Sequence, residues 1–327
     1  MFMKYSFLTF CMLAIFSVST SAQQPQQSNA QGQQRQRITS FLEIYDITTG
    51  TRKVVREFNT RIEAPNWTPD GKWLIYNSGG LLYKISPDIP DSRPQLINTD
   101  FVATANNDHV VSFDGKFIAI SASPVEARRS YVYTVPTEGG VPQLITPIGP
   151  SYLHGISPDN NFLAYCAERN GNFDVYVIPA RGGKERRLTE AEGLDDGPEY
   201  SPCGKYIWFN SVRSGLMQAW RMNADGSEQT QMTFDNDLNT WFPHVSPDGK
   251  QVVVIAYRKG DVEPGDHPAN KNVMLRLMPA EGGTPKTVVE LFGGQGTINV
   301  HSWAPDSKRF AFVSYRLEEP SATTPAR

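Results

Sequence analysis

Four of the chain's five histidines, His109, His154, His244 and His301, share one position: three or four residues ahead of a recurring Pro-Asp-Gly type of turn. Asn66 and Glu199 occupy the same place before two further copies of that turn. Imidazoles in such a group could hold a divalent metal or move protons near neutral pH, and a carboxylate among them suits either task. Eleven residues past the proline slot stand Arg169, Arg213, Arg258 and Arg316, with Arg128 and Arg129 in the matching loop of another copy. A ring of guanidinium groups would grip carboxylates, whether of uronic-acid oligosaccharides or of an acidic peptide. Tyr152 and Trp241 stand just ahead of two of the histidines and offer rings for stacking. No dense motif such as H-x-H or H-E-x-x-H supplies two ligands locally, so the fold must assemble any site.

A plainer reading competes with this one. Duplication alone would spread a half-buried polar residue around a repeated structure, where it caps a strand or binds water. The arginines would then pair with nearby carboxylates such as Asp174. His267, in a Gly- and Pro-rich stretch, reads as solvated.

The elements that carry these residues follow from the repeat. The turn occurs six times, as "WTPDGKWLIY" from Trp67, "VSFDGKFIAI" from Val111, "ISPDNNFLAY" from Ile156, "YSPCGKYIWF" from Tyr200, "VSPDGKQVVV" from Val245 and "WAPDSKRFAF" from Trp303. Its proline slot falls at Pro69, Phe113, Pro158, Pro202, Pro247 and Pro305, in steps of 44, 45, 44, 45 and 58. Proline presets the first turn dihedral, Asp or Asn bonds its own backbone, and Gly takes the positive φ. Alternating or continuous apolar runs flank each turn, as strands require. A second motif also occurs six times, for example "YVYTVPTEGG" from Tyr131 and "DVYVIPARGG" from Asp174, followed by short strands such as "PQLIT".

Four strands in about 45 residues make a propeller blade. The fold expected is all-β: a six-bladed β-propeller of four-stranded antiparallel blades over residues 38–317. The chain opens with the second motif and closes with the first, so terminal strands from both ends share one blade and close the ring. The long step is an insertion, Lys259–Lys271, between the second and third strands of a blade.

The W-[ST]-P-D-G-K pattern, followed by D-[IV]-Y and GG…LT, resembles the WD40-like (PD40) repeat of TolB-like β-propellers. The resemblance covers about residues 38–317. It implies the propeller and no particular chemistry. TolB carries a further N-terminal α/β domain, where this chain has only a Gln-rich stretch. A similar repeat builds oligogalacturonate lyase, a metal-dependent enzyme. Related propellers precede prolyl oligopeptidase-type catalytic domains, but no G-x-S-x-G elbow occurs here.

The remaining sequence bounds the setting. Residues 1–22, with Lys4, an apolar run and a Ser-Thr-Ser-Ala end, have the anatomy of a signal peptide, so export to the periplasm or beyond is expected. Residues 23–37 read as a disordered tether and 318–327 as a disordered tail. No later apolar stretch is long enough to span a bilayer. The whole chain has 31 basic and 34 acidic residues. With no basic stripe, nucleic acid is excluded as a partner. Cys166 and Cys203 are not expected to pair.

The leading expectation is a monomeric binding scaffold for an envelope protein segment or an anionic oligosaccharide at the channel rim. One alternative is a metal-dependent polysaccharide lyase, with manganese, zinc or calcium held by His109, His154, His244 and His301. The other is a structural subunit of a cell-envelope complex.

Overall fold

The computed structural model describes residues 37–127 and 129–318. The expected signal peptide, nearly all of the tether and the tail, and Arg128 lie outside the described residues. Five four-stranded antiparallel sheets follow one another along the chain and a sixth is built from both of its ends. Among the described residues every regular element is a strand.

The turn that punctuates each blade is a self-contained hydrogen-bonded unit. In the first blade Thr68 Oγ1 donates to Asp70 Oδ1 at 2.6 Å, and the same oxygen of Asp70 accepts from the Lys72 amide at 3.1 Å. Ser112 with Asp114, Ser157 with Asp159 and Ser246 with Asp248 repeat the arrangement. Gly71, Gly115, Gly204 and Gly249 close their turns at φ between 71° and 74°, a region that costs glycine nothing. The turns also touch around the ring: Pro305 packs on Gly71, Pro69 on Gly115 and Pro158 on Gly204.

Ring closure takes the expected form. Strand Ile38–Asp46 pairs along its whole length with Arg309–Leu317, and Thr51–Phe58 lies outside it. The innermost strand of this sixth blade departs from expectation, being reduced to a single bridge between Trp303 and Phe310. The Gly-rich approach, Gly293–Gly296, turns on itself through a hydrogen bond from the Thr297 amide to the Gly294 carbonyl. Blades are held together by apolar packing between their faces. One cluster joins Trp241, Tyr257, Trp303, Phe310 and Phe312 across the fifth and sixth blades. Another joins Val132, Leu153, Leu163 and Tyr165 across the second and third.

One irregularity decides where the site residues point. In each of the first five blades the innermost pair of strands slips register just ahead of the turn: Glu63/Asn66, Ala105/His109, Leu153/Gly155, Asp196/Glu199 and Trp241/His244. Such bulges redirect side chains. Here they fall on the histidine position itself. Ala64, Gly197 and Phe242 hold left-handed φ values of 54°, 60° and 49°, two residues before Asn66, Glu199 and His244.

Candidate functional site

The six equivalent residues divide into stitches between blades and a cluster at one mouth of the channel. Asn66 accepts the Val111 amide of the next blade at 2.8 Å and donates to the carbonyl of His301. Glu199 repeats that role, its Oε1 accepting the Val245 amide at 2.9 Å. Its other oxygen meets His244 Nδ1 at 2.6 Å, while His244 Nε2 meets the Ile298 carbonyl at 2.8 Å. His301 Nδ1 lies 3.2 Å from Glu199 Oε1. Burial would raise the Glu199 pKa, but His301 and His244 outweigh it and hold the carboxyl at about 2. His109 is wholly buried with Nε2 3.3 Å from the Ile75 carbonyl, and burial pushes its pKa down to about 4. It is a neutral core residue.

His154 is different. Its Nε2 lies 3.2 Å from Asp196 Oδ1, and Asp108 acts on it from the second blade. Burial would lower its pKa, but the two carboxylates prevail and raise it to about 9. Asp108, buried and near Asp196, is pushed up to about 6. Asp196 falls to about 2 because His154 overcomes the cost of its burial. The trio therefore holds an imidazolium between two carboxyl groups of unequal acidity. Tyr152, Cys166 and His267 join it in lining a cavity of about 490 Å³ that opens on the rim away from the turns.

Sequence reasoning missed part of this site. Asp108 stands one residue before a histidine position and Asp196 three before Glu199, so only the bulge brings them to the mouth. The acidic residue inside "NNDH" and the doublet in "DDGPE" were the available signals. His267 is a correction. The inserted segment folds back over the channel, held by Tyr257 donating to the Pro268 carbonyl at 3.2 Å. The His267 ring sits 4.3 Å from that of Trp241 and 5.2 Å from that of Phe242.

The expected arginine ring is not at the channel. Arg169 forks onto Glu185 at 2.8 and 2.9 Å and lies over Tyr176. Arg213 binds Asp195 and Gln229, each at 2.6 Å, above Trp220. Each spans its own blade, from the start of the innermost strand at Ser151 or Asp195 to Glu185 or Gln229 beside the outermost strand. Arg316 lies against Glu57 and Phe41, and Arg258 is exposed. Asp174 takes Arg187 instead, at 2.6 Å. Trp241 is fully buried and cannot stack on a ligand; Tyr152 does face the mouth.

The four histidines proposed as metal ligands do not converge. His109 is buried against the first blade, His154 binds Asp196, and His244 and His301 share Glu199. Among the described residues no three His, Cys, Asp or Glu side chains are placed to hold a metal ion. Cys166 and Cys203 are both free thiols.

The TolB beta propeller domain model, PD40, matches residues 111–281. An uncharacterized protein of Agrobacterium fabrum is 46% identical over 276 residues, covering 84% of this chain and 92% of its own. A solved structure described as a candidate TolB from Agrobacterium tumefaciens superposes with a TM-score of 0.81 at 45% identity, covering 85% of this chain and 99% of that one. The Tol-Pal system protein TolB of Francisella tularensis is 25% identical over 209 residues, 62% of this chain. This chain spans about half of that protein's length, 47%. The repeat, the ring closed by both termini and these matches agree: the chain belongs to the TolB-like β-propeller family.

Proposed function

We propose that this chain is an exported binding propeller that receives a segment of another envelope protein at the rim-side mouth of its channel. The observation that carries the reading is the cluster of Asp108, His154 and Asp196 at the floor of an open cavity, roofed by the inserted segment. Buried charges that serve only the core are usually fully paired, whereas Nδ1 of His154 makes no hydrogen bond of normal geometry among the described residues, although the Asn299 backbone lies near the ring. The inserted segment adds Asp266 to the same wall. The mouth is thus rich in carboxylates, which suits a basic or hydrogen-bond-donating segment. Anionic oligosaccharide loses its support, because Arg169 and Arg213 are engaged by Glu185 and Asp195 and no arginine among the described residues lines the mouth cavity. The lyase has no three-ligand centre among the described residues. The name of the Francisella relative, a Tol-Pal system protein, is consistent with work among other proteins. In the described residues no helix is long and apolar enough to cross a membrane.

The test is photo-crosslinking in intact cells from Tyr152, with Val141 at the outer blade edge as control. A discrete protein adduct from Tyr152 alone is expected. Adducts from Val141 alone, or none from either position, would overturn the reading.

A further inference from the structure

The channel has a second mouth, on the face that carries the turns, and its chemistry is unlike that of the rim. Pro69, Pro202, Pro247, Pro305 and Phe113 surround it. Inside, Trp67, Val111, Ile156, Tyr200 and Trp303 form apolar and aromatic walls around a cavity of about 170 Å³. Cavities of ~150 Å³ hold a benzene-sized molecule. Asn66, His154, Glu199 and His301 line the same space and give it a polar side.

His301 is the most accessible of the channel histidines, with its side chain 26% exposed. Its Nδ1 faces Glu199 Oε1, which can only accept a hydrogen bond. In the neutral ring this places the hydrogen on Nδ1 and leaves Nε2 as an oriented acceptor. Trp67 supplies the complementary group: its indole N–H is buried without an acceptor. A ligand head that both donates and accepts fits this pair. A carboxylate does not, because the Glu199 carboxylate stands beside it and the His154 imidazolium is already matched by Asp108 and Asp196.

We propose that this cavity binds a small phenol-like molecule, an aromatic ring bearing one hydroxyl, which donates its hydrogen bond to Nε2 of His301. His154 lines both this cavity and the rim cavity, so the two adjoin, but the proposed contact is to His301 at the turn-face end and stands if the protein-binding reading fails. The narrow surround of prolines favours a free small molecule over a chain segment.

The experiment is fluorine NMR titration of the propeller with 4-fluorophenol, and with fluorobenzene as the analogue lacking the hydroxyl. Saturable binding of 4-fluorophenol is expected, at least about tenfold tighter than fluorobenzene, as for loss of one buried hydrogen bond. His301→Phe should remove that preference, and His301→Gln, which keeps an acceptor, should retain part of it. Nuclear Overhauser contacts from the bound ring to the Val111 and Ile156 methyl groups locate the site without any variant. No saturable binding, equal affinity for the two probes, or contacts elsewhere would overturn the proposal.

Discussion

Replacing Asp196 by Asn tests the electrostatics of the rim cluster. His154 rises from 6.5 to about 9 against the cost of its burial, driven by Asp108 and Asp196. A rise of that size corresponds to about 3 kcal/mol of interaction favouring the imidazolium. Asp196 changes less, from 3.8 to about 2, because burial opposes its ionisation and His154 draws on two carboxylates. These are two views of one ion pair and do not add. Since the folded-state pKa of His154 is raised, its contribution is complete below pH 6.5 and is lost as pH climbs through 9. Within that window stability should fall by up to ~1.4 kcal/mol per pH unit. The depressed Asp196 gives the acid side: its contribution is complete above 3.8 and fades as pH falls through 2. In Asp196→Asn the carboxamide keeps an acceptor but not the charge. Stability at pH 7 should drop by about 2–3 kcal/mol, and the alkaline slope should flatten. Urea denaturation across pH 5–10, with NMR titration of the His154 ring, measures both. A wild-type His154 that titrates near its ordinary value, or an unchanged alkaline slope in the variant, would refute the reasoning.

Three other outcomes are expected. Trp241→Ala empties a fully buried site and should cost about 3–5 kcal/mol in denaturation experiments, while amide exchange at residues 263–268 speeds up as His267 loses its support. Arg213→Ala strands the buried Asp195 carboxylate and should cost about 3 kcal/mol, whereas exposed Arg258→Ala should change stability by less than about 0.5 kcal/mol; equal effects would contradict the blade-face placement. A maleimide reagent should label exposed Cys203 in the native protein and reach buried Cys166 only after unfolding, as mass spectrometry of peptides will show.

The fold was legible because its punctuation is local. The bonds of Thr68 to Asp70, or of Ser246 to Asp248, lie within a few residues, so the sequence displays each turn whole and their spacing displays the ring. The site was legible only in part. The repeat marks the position of His154, yet its neighbours Asp108 and Asp196 come from other blades and are aimed by bulges that no single position announces. Arg169 and Arg213 looked like a ring around the axis because repeat spacing gives height along a blade and not distance from the channel. Arg169 reaches from Ser151 to Glu185 and Arg213 from Asp195 to Gln229, across the blade rather than into the channel, a third dimension that periodicity omits. His267 was misjudged since a Gly- and Pro-rich composition suggests solvent, while tertiary contacts with Trp241 and Phe242 hold the ring half-buried.

Which face binds is the central question. Once crosslinking supplies the partner, its affinity should be measured by calorimetry for wild type, for Tyr152→Ala and Asp266→Asn at the rim, and for Phe113→Ala at the turn face. The account predicts about tenfold or greater weakening for the rim substitutions, a further decline with salt, and wild-type affinity for Phe113→Ala. Full affinity in both rim variants, with loss in Phe113→Ala, would contradict it.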